Sequence, residues 1–307
     1  MGKSIQILLS TYNGEKYLRE QLNSFLSLDN IDDIKVLIRD DGSKDGTLEI
    51  LHEYREKHGF EIIEGSNIGL NASMYELIKN RDRNCDYFSF SDQDDVWLAD
   101  KVSRGVITLS KANQNSPRMY AACSNLTDVN LNIEGNLMIP KRQLTFFNAI
   151  VENVCAGHTQ IINKPLMNIL ADKYSPDIVV FDHWVYLLAS TVGEVVFDSK
   201  CTTLYRQHGN NVIGYKTSFF AKIKQKATAV KNNICQKTTR QLIAFSSCCD
   251  DVLTAKQKKE INNFLNKQKN FFTRLTYFFT SKLYRQIKMD TLIVRFLYLF
   301  GWYKLKK

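Results

Sequence analysis

Seven cysteines stand in this chain, yet no two of them form a CxxC pair. Their number is odd and their positions (Cys85, Cys123, Cys155, Cys201, Cys235, Cys248 and Cys249) are scattered. That pattern excludes a disulfide framework or a zinc ribbon and fits reduced thiols in a cytosolic protein. GxGxxG and the Walker A loop are both missing, so neither the dinucleotide fingerprint nor a P-loop is present. No apolar run is long enough to span a bilayer; the longest, 291–303, covers 13 residues and is broken by Arg295. The opening stretch "MGKSIQILLSTYNG" holds only a short apolar run and has no Ser or Thr at position 6. Neither a signal peptide nor a myristoyl anchor is expected there. Internal repeats, low-complexity tracts and long Gly/Pro linkers are absent too.

What is present is a globular composition: 307 residues, 44% hydrophobic and 24% charged. That is enough for one large domain, or one domain with an accessory element. The net charge of +9 hides a division. Residues 216–307 hold 20 Lys and Arg against four acids, giving +16, while residues 1–215 carry 21 against 28, giving −7. The same tail holds 15 of the 35 aromatic residues.

The first hundred residues alternate two periods. "IQILL" (5–9), "KVLIRD" (35–40), "FEIIEG" (60–65) and "DYFSFSD" (86–92) read as strands. Between them, Leu18, Leu22, Phe25 and Leu26 share one helical face, as do Leu48, Leu51 and Tyr54, and then Met74, Leu77 and Ile78. Strands alternating with helices at this spacing predict βαβ units, an α/β fold and a mostly parallel sheet. Past Pro117, "MYAACSN", "HTQIIN" and "TTLYRQHG" predict further strands, "FDHWVYLLAS" a helix, and from Phe219 onward only helical spacing remains.

In such sheets ligands bind at the carboxyl ends of the strands, which points to "STYNGE", "DDGSKDGT", "SNIGLN" and "SDQDDVW". An aromatic ring (Tyr12) and a carboxylate after the second strand (Asp41) suit a nucleotide base. The plainer reading makes "DDGSKDGT" a turn whose Ser43 or Asp45 caps the next helix. "SDQDDVW" places three carboxylates in four residues, a repulsive arrangement unless a cation sits among them. Hard oxygen donors of this kind suit Mg²⁺ or Mn²⁺ shared with substrate phosphates, although an acidic turn capping a helix near Leu98 has the same composition. Asp182, at a helix start, suits either a general base or an N-cap. His208 reads as a ligand or as a turn residue.

Together and in this order, "STYNGEKYLREQL", "RDDGSKDGT", "SNIGLNAS", "SDQDDVW", "CAGHTQIIN", "FDHWVYLLA" and "YRQHGNNVIG" resemble the inverting family 2 glycosyltransferases of GT-A fold. More narrowly, the chain resembles bacterial rhamnosyltransferases that build cell-surface polysaccharides. The resemblance covers residues 4 to about 215. It implies that Ser10, Thr11 and Tyr12 line the base pocket, with Glu15 near the nucleotide. It also implies that Asp41 contacts the pyrimidine, and that Asn67 and Gly69 flank the nucleotide sugar. Asp92 then faces the ribose or diphosphate, Asp94 and His208 hold Mn²⁺ or Mg²⁺, and Asp95 supports them. Asp182 falls at the catalytic base, with His183 as runner-up; many relatives carry Glu-Asp there, where this chain has Phe181-Asp182. "CAGHT" (155–159) is expected beside the acceptor or in an ordinary turn.

The expected organisation is a catalytic domain, 1–215, and a basic, aromatic, helical region, 216–307. That region reads as a contact with an anionic membrane surface or as an oligomer interface, a homodimer among them; no nucleic-acid motif is present. The expected partners are dTDP-L-rhamnose and a lipid-linked saccharide, at the cytoplasmic face of a bacterial membrane. A UDP-galactose or UDP-glucose donor is the alternative within the class. A non-catalytic nucleotide-sugar-binding scaffold is the alternative outside it, and a sugar nucleotidyltransferase lacks its glycine-rich N-terminal loop here.

Overall fold

The computed structural model describes residues 3–29, 33–111, 113, 115–208 and 234–305. The residues after His208 in "YRQHGNNVIG", and the first stretch of the expected helical tail, lie outside the described residues. Along the chain run β1 (Ser4–Thr11), α1 (Glu15–Leu26), β2 (Asp33–Asp40), α2 (Thr47–His58), β3 (Glu61–Glu64), α3 (Leu70–Asn80) and β4 (Tyr87–Ser91). There follow β5 (Val96–Trp97), α4 (Lys101–Ser110), β6 (Arg118–Thr127), β7 (Ile133–Asn136), α5 (Phe146–Ala149), β8 (Ile161–Asn163) and α6 (Lys164–Asp172). The last elements are α7 (Phe181–Val192), β9 (Glu194–Arg206), α8 (Ile234–Cys248), α9 (Ala255–Asn266), α10 (Phe271–Thr280) and α11 (Lys288–Leu299).

Packing divides these elements into two compact units. The first comprises residues 1–139, 155–172 and 193–215; the second comprises 140–154, 173–192 and 216–307. The first unit holds one sheet in the order β3-β2-β1-β4-β8-β6-β9-β5, with β7 on β6. β3, β2, β1 and β4 run parallel, as do β6 and β9, while β8 lies antiparallel between β4 and β6. Strands covered on both faces read as continuous apolar runs, which is why "IQILL" shows little alternation. Ile5, Ile7 and Leu9 turn to one face and pack with Leu18, Leu22, Phe25, Ile50 and Leu51 from α1 and α2. Their parallel register carries the ends of β1, β2 and β4 to one edge, with Thr11 beside Asp40 and Leu9 beside Ser91.

The second unit follows packing rather than chain order. Trp184 of α7 meets Phe245 of α8 edge-on at 5.1 Å. Gln241 of α8 accepts the N–H groups of Val179 and Val180 ahead of α7. Glu152, buried after α5, accepts the amide of Gln286 at 2.7 Å and pairs with Arg285 at 3.2 Å. α7 is apolar on nearly every side, with seven buried residues from Phe181 to Ala189, so it needs covering all round. In this unit the partners that cover it come from α5 and the carboxyl-terminal helices.

Two local expectations are corrected. α2 starts at Thr47 with Gly46 at the cap position, not Ser43 or Asp45. Ser43 instead donates to Asp40, and Asp45 accepts the Thr47 amide from one residue further out. The helix expected near Leu98 begins at Lys101, because Val96 and Trp97 are taken up in pairing with β9.

Candidate active site

The loops after β1 and β2 are tied to each other before any ligand is considered. The Asn13 amide donates to Ser43 Oγ at 2.9 Å, and Asn13 Oδ1 accepts the Lys44 amide at 2.9 Å. Glu15 accepts the Gly46 amide at 3.0 Å, and the Gly14 amide donates to Thr47 Oγ1 at 2.8 Å. Glu15 therefore braces the second loop. Thr11 is buried and donates to Asp40 Oδ1 at 3.0 Å, while Ser10 and Ser73 hydroxyls meet at 2.6 Å. Tyr12 is exposed at the end of β1.

Asp41 is held tightly. Its Oδ1 accepts from Arg39 at 2.5 Å and from the Ile68 amide at 2.9 Å, and its Oδ2 accepts the Gly69 amide at 2.9 Å. A carboxylate offers about four acceptor sites, so capacity remains for a further donor such as a base N–H. The Arg39 guanidinium is buried beside it. Asn67 is exposed on the same loop, and its amide lies against Gly42, whose φ of +79° suits glycine.

"SDQDDVW" leaves the end of β4 beside these loops. Gln93 joins the two directly: its Oε1 accepts the Tyr12 amide at 2.8 Å and its Nε2 donates to the Tyr12 carbonyl at 3.1 Å. The three carboxylates have different surroundings. Asp92 is half exposed, Asp94 largely covered, and Asp95 fully buried. At an effective dielectric near 20, two such charges about 4 Å apart repel by roughly 4 kcal/mol. Two imidazoles answer that repulsion. His208 Nε2 lies 2.8 Å from Asp94 Oδ2, and His158 Nδ1 lies 3.5 Å from Asp92 and 3.8 Å from Asp95.

Burial, followed by the neighbouring Asp92 charge, raises the Asp94 carboxyl above its ordinary range despite the His208 contact. Burial pushes Asp95 up to about 8, opposed chiefly by His158. Burial would depress His158, but Asp95 and Asp92 hold its proton on, and its range is raised. Both members of the Asp95–His158 pair thus move upward, as expected when burial keeps a proton shared between two groups. Beneath them, Lys101 is buried and donates to the His158 carbonyl at 2.8 Å and to Thr203 Oγ1 at 3.1 Å. Burial brings its amine down to about 7, against the pull of Asp95 and Asp92.

Asp95 Oδ2 is buried and accepts no hydrogen bond. Asp92, Asp95 and His158 each present a donor atom, and the three atoms lie within 4.8 Å of one another. Two carboxylates and an imidazole make a donor set that accepts a divalent cation, and an orphaned buried carboxylate oxygen is the atom such an ion satisfies. Asp94, paired with His208 from just beyond the end of β9, stands on the same four-residue loop as Asp92 and Asp95.

Arg206 carries no motif signal in the sequence. Its buried guanidinium donates to the Asp94 carbonyl at 3.0 Å and to Glu20 at 2.7 Å, and lies 4.5 Å from the Tyr17 ring. His158 of "CAGHT", a segment expected beside the acceptor or in an ordinary turn, faces the acid loop from a 3-10 turn. Its only sequence signal was an isolated histidine before a strand. Asp182 lies in the second unit, in the first turn of α7, where its Oδ1 accepts the His183 amide at 2.7 Å. His183, the runner-up base, is half-buried with Nε2 2.6 Å from the Ala149 carbonyl, and desolvation lowers its proton affinity. That contact makes Nε2 a donor and commits the ring to holding α5.

The family model described as "Glycosyl transferase family 2" matches residues 6–169. The dTDP-rhamnosyl transferase RfbG of Shigella flexneri is 34% identical over 229 residues, covering 71% of this chain and 77% of that protein. Among solved structures, S. aureus TarS 1-349 in complex with UDP-GlcNAc superimposes with a TM-score of 0.58 at 17% identity, covering 97% of this chain and 92% of that one. The mannosyltransferase PcManGT from Pyrobaculum calidifontis, in complex with GDP-Man and Mn²⁺, gives 0.56 at 13% identity, covering 98% and 86%. At those identities the two structures speak to fold, which is GT-A-like. From its matched sequence and its fold, the chain belongs to glycosyl transferase family 2.

Proposed function

We propose that this glycosyltransferase moves L-rhamnose from dTDP-L-rhamnose to a hydroxyl of a lipid-linked saccharide, with inversion, during assembly of a cell-surface polysaccharide. The observation that carries a nucleotide-diphosphate donor is the acid loop, with Asp95 Oδ2 buried and unsatisfied beside loops pinned to Asp41. The sugar follows from the 34% identity with a dTDP-rhamnosyl transferase. Tyr12 stacks on the base and Asp41 accepts its ring N–H. Asn67 and Gly69 border the donor sugar, and Asp92 faces the ribose or diphosphate.

Asp94 and His208 hold Mn²⁺ or Mg²⁺, and Asp92, Asp95 and His158 offer a second set of donors, which the buried free oxygen of Asp95 favours. When bound, such an ion neutralises charge on the departing diphosphate. Asp182 accepts the proton of the acceptor hydroxyl. That oxygen bonds to the anomeric carbon as the bond to the diphosphate oxygen breaks, and dTDP leaves. One displacement inverts the configuration and needs no covalent nucleophile. The enzyme works on the cytoplasmic face of the membrane that carries its acceptor.

The test is incubation with dTDP-rhamnose, UDP-galactose or UDP-glucose, a saccharide-lipid acceptor, and Mn²⁺ or Mg²⁺. Consumption of dTDP-rhamnose alone is expected. Asp182→Asn should lower kcat by about 10²–10⁴ with little change in donor KM. Full turnover in that variant removes Asp182 as the base, and consumption of no donor removes the whole reading.

A further inference from the structure

α11 carries two apolar stripes where a helix at the surface of a soluble protein needs one. The inner stripe is spoken for: Val294 and Tyr298 are buried, and the Tyr298 hydroxyl donates to the Phe264 carbonyl at 2.7 Å. The outer stripe is Met289, Leu292, Ile293, Phe296 and Phe300, all exposed, at the i, i+3, i+4, i+7 spacing of a single face. α10 repeats the arrangement. Tyr277 is buried and donates to Glu260 at 2.6 Å, while Phe272 is 77% and Phe279 72% exposed. The two outer faces meet where the rings of Phe278 and Phe296 approach to 5.1 Å. Of the twenty exposed large apolar residues among the described residues, ten fall between Phe271 and Trp302. So much exposed apolar surface in so short a stretch implies a partner.

The charges identify it. Exposed lysines flank both helices: Lys269 and Lys282 bracket α10, and Lys288 and Lys304 bracket α11. None of the four is in an ion pair with another described residue, and Asp290 is the one acid between positions 267 and 305. A second copy docking here face to face would bring these cations together, whereas an anionic surface neutralises them. Twelve residues make α11 about 18 Å long, against the roughly 30 Å of a hydrocarbon core, and no helix among the described residues is long and apolar enough to cross.

We propose that the outer faces of α10 and α11 form an interfacial membrane-binding element, with their aromatic and aliphatic side chains among the lipid chains and the four lysines at anionic headgroups. This locates the proposed membrane association on a named surface, and it rests on the reading in which the acceptor is lipid-borne. Among the described residues, the other helices of the basic region, α8 and α9, have no comparable outer stripe.

The experiment is co-sedimentation of the full chain with vesicles of phosphatidylcholine containing about one third phosphatidylglycerol, and with pure phosphatidylcholine. The chain should sediment with the anionic vesicles, less so in high salt. The triple change Phe272→Ser, Phe279→Ser and Phe300→Ser should weaken binding at least about tenfold while leaving the thermal melt unchanged, since all three side chains face solvent. Lys→Gln at the four flanking positions should remove the salt-sensitive part. Unchanged sedimentation of the triple variant overturns the proposal. So does a chain that stays in solution with both vesicles and shows a dimer by light scattering that the triple variant abolishes. Donor turnover with a soluble saccharide acceptor, measured on the same triple variant, should be unaltered; its loss in both proteins would indict the function, not the surface.

Discussion

Arg206 donates from Nε to the main-chain carbonyl of Asp94, 3.0 Å away and 112 residues earlier in the chain. The contact is partly buried, and the Arg206 amide also donates to Asp95 Oδ1 at 3.2 Å in a fully buried bond. One residue of β9 therefore sets both the backbone and a side chain of the acid loop. Its other donors anchor it to the Val129 carbonyl and to Glu20, so the loop is referred to α1 and to the end of β6 at once.

The acid loop should accordingly lose its order when Arg206 is shortened. Arg206→Gln leaves buried acceptors unmatched, each costing about 1–3 kcal/mol. Apparent Mn²⁺ affinity, followed by calorimetry, should fall at least about tenfold, with kcat reduced more than donor KM. Arg206→Lys, which keeps the charge but not the fork, should recover only part of it. A variant with lowered melting temperature but normal Mn²⁺ affinity would show that Arg206 serves stability alone.

A cation at Asp92, Asp95 and His158 must displace the proton that burial keeps on Asp95 up to about pH 8. Mn²⁺ affinity should therefore rise with pH from about 6 to 8 and flatten above, by up to about tenfold per unit for each proton released. Asp95→Asn should abolish that slope, and Asp94→Asn should keep it. The sign for stability without the ion is opposite. The folded chain holds a proton that the unfolded chain has lost above its ordinary carboxyl range, so this group's contribution falls as pH rises toward about 8. Thermal melts across that window, with and without Mn²⁺, read both effects.

Gly42 turns the chain after Asp41 with φ +79°, and a Cβ there would lie 2.8 Å from the Asn67 amide nitrogen. Gly42→Ala should cost about 1–2 kcal/mol from the left-handed backbone alone. Because the obstructing atom is main chain of the loop that carries Ile68 and Gly69 to Asp41, donor KM should rise as well. A melting curve paired with donor titration would separate the two.

Much of the first unit was legible in the residues. Apolar runs at strand length, separated by helical stripes such as Leu18, Leu22 and Phe25, leave a parallel βαβ arrangement as the economical way to bury both faces. That arrangement in turn marks the loops after β1, β2 and β4. The acid loop announced itself by repulsion, since Asp92, Asp94 and Asp95 crowd together in the sequence itself. Its positive companions did not, because they come from far along the chain: His158 from a turn before β8, Arg206 and His208 from the end of β9. α7 packs with α8, far along the chain, because a helix apolar on all sides is claimed by whichever elements can cover it.

The tail shows the same boundary between the two kinds of information. Composition alone established that residues 216–307 are basic and aromatic-rich, and helical spacing was visible in them. It did not separate an inner stripe from an outer one, since Val294 and Phe296 are equally apolar and differ only in what lies against them. Local sequence determines which faces an element must bury and where charge accumulates, because those depend on neighbours a few positions away. Tertiary structure decided which carboxylate stands next to which imidazole and which phenylalanines are left uncovered, because those contacts join residues whose separation along the chain carries no local signal.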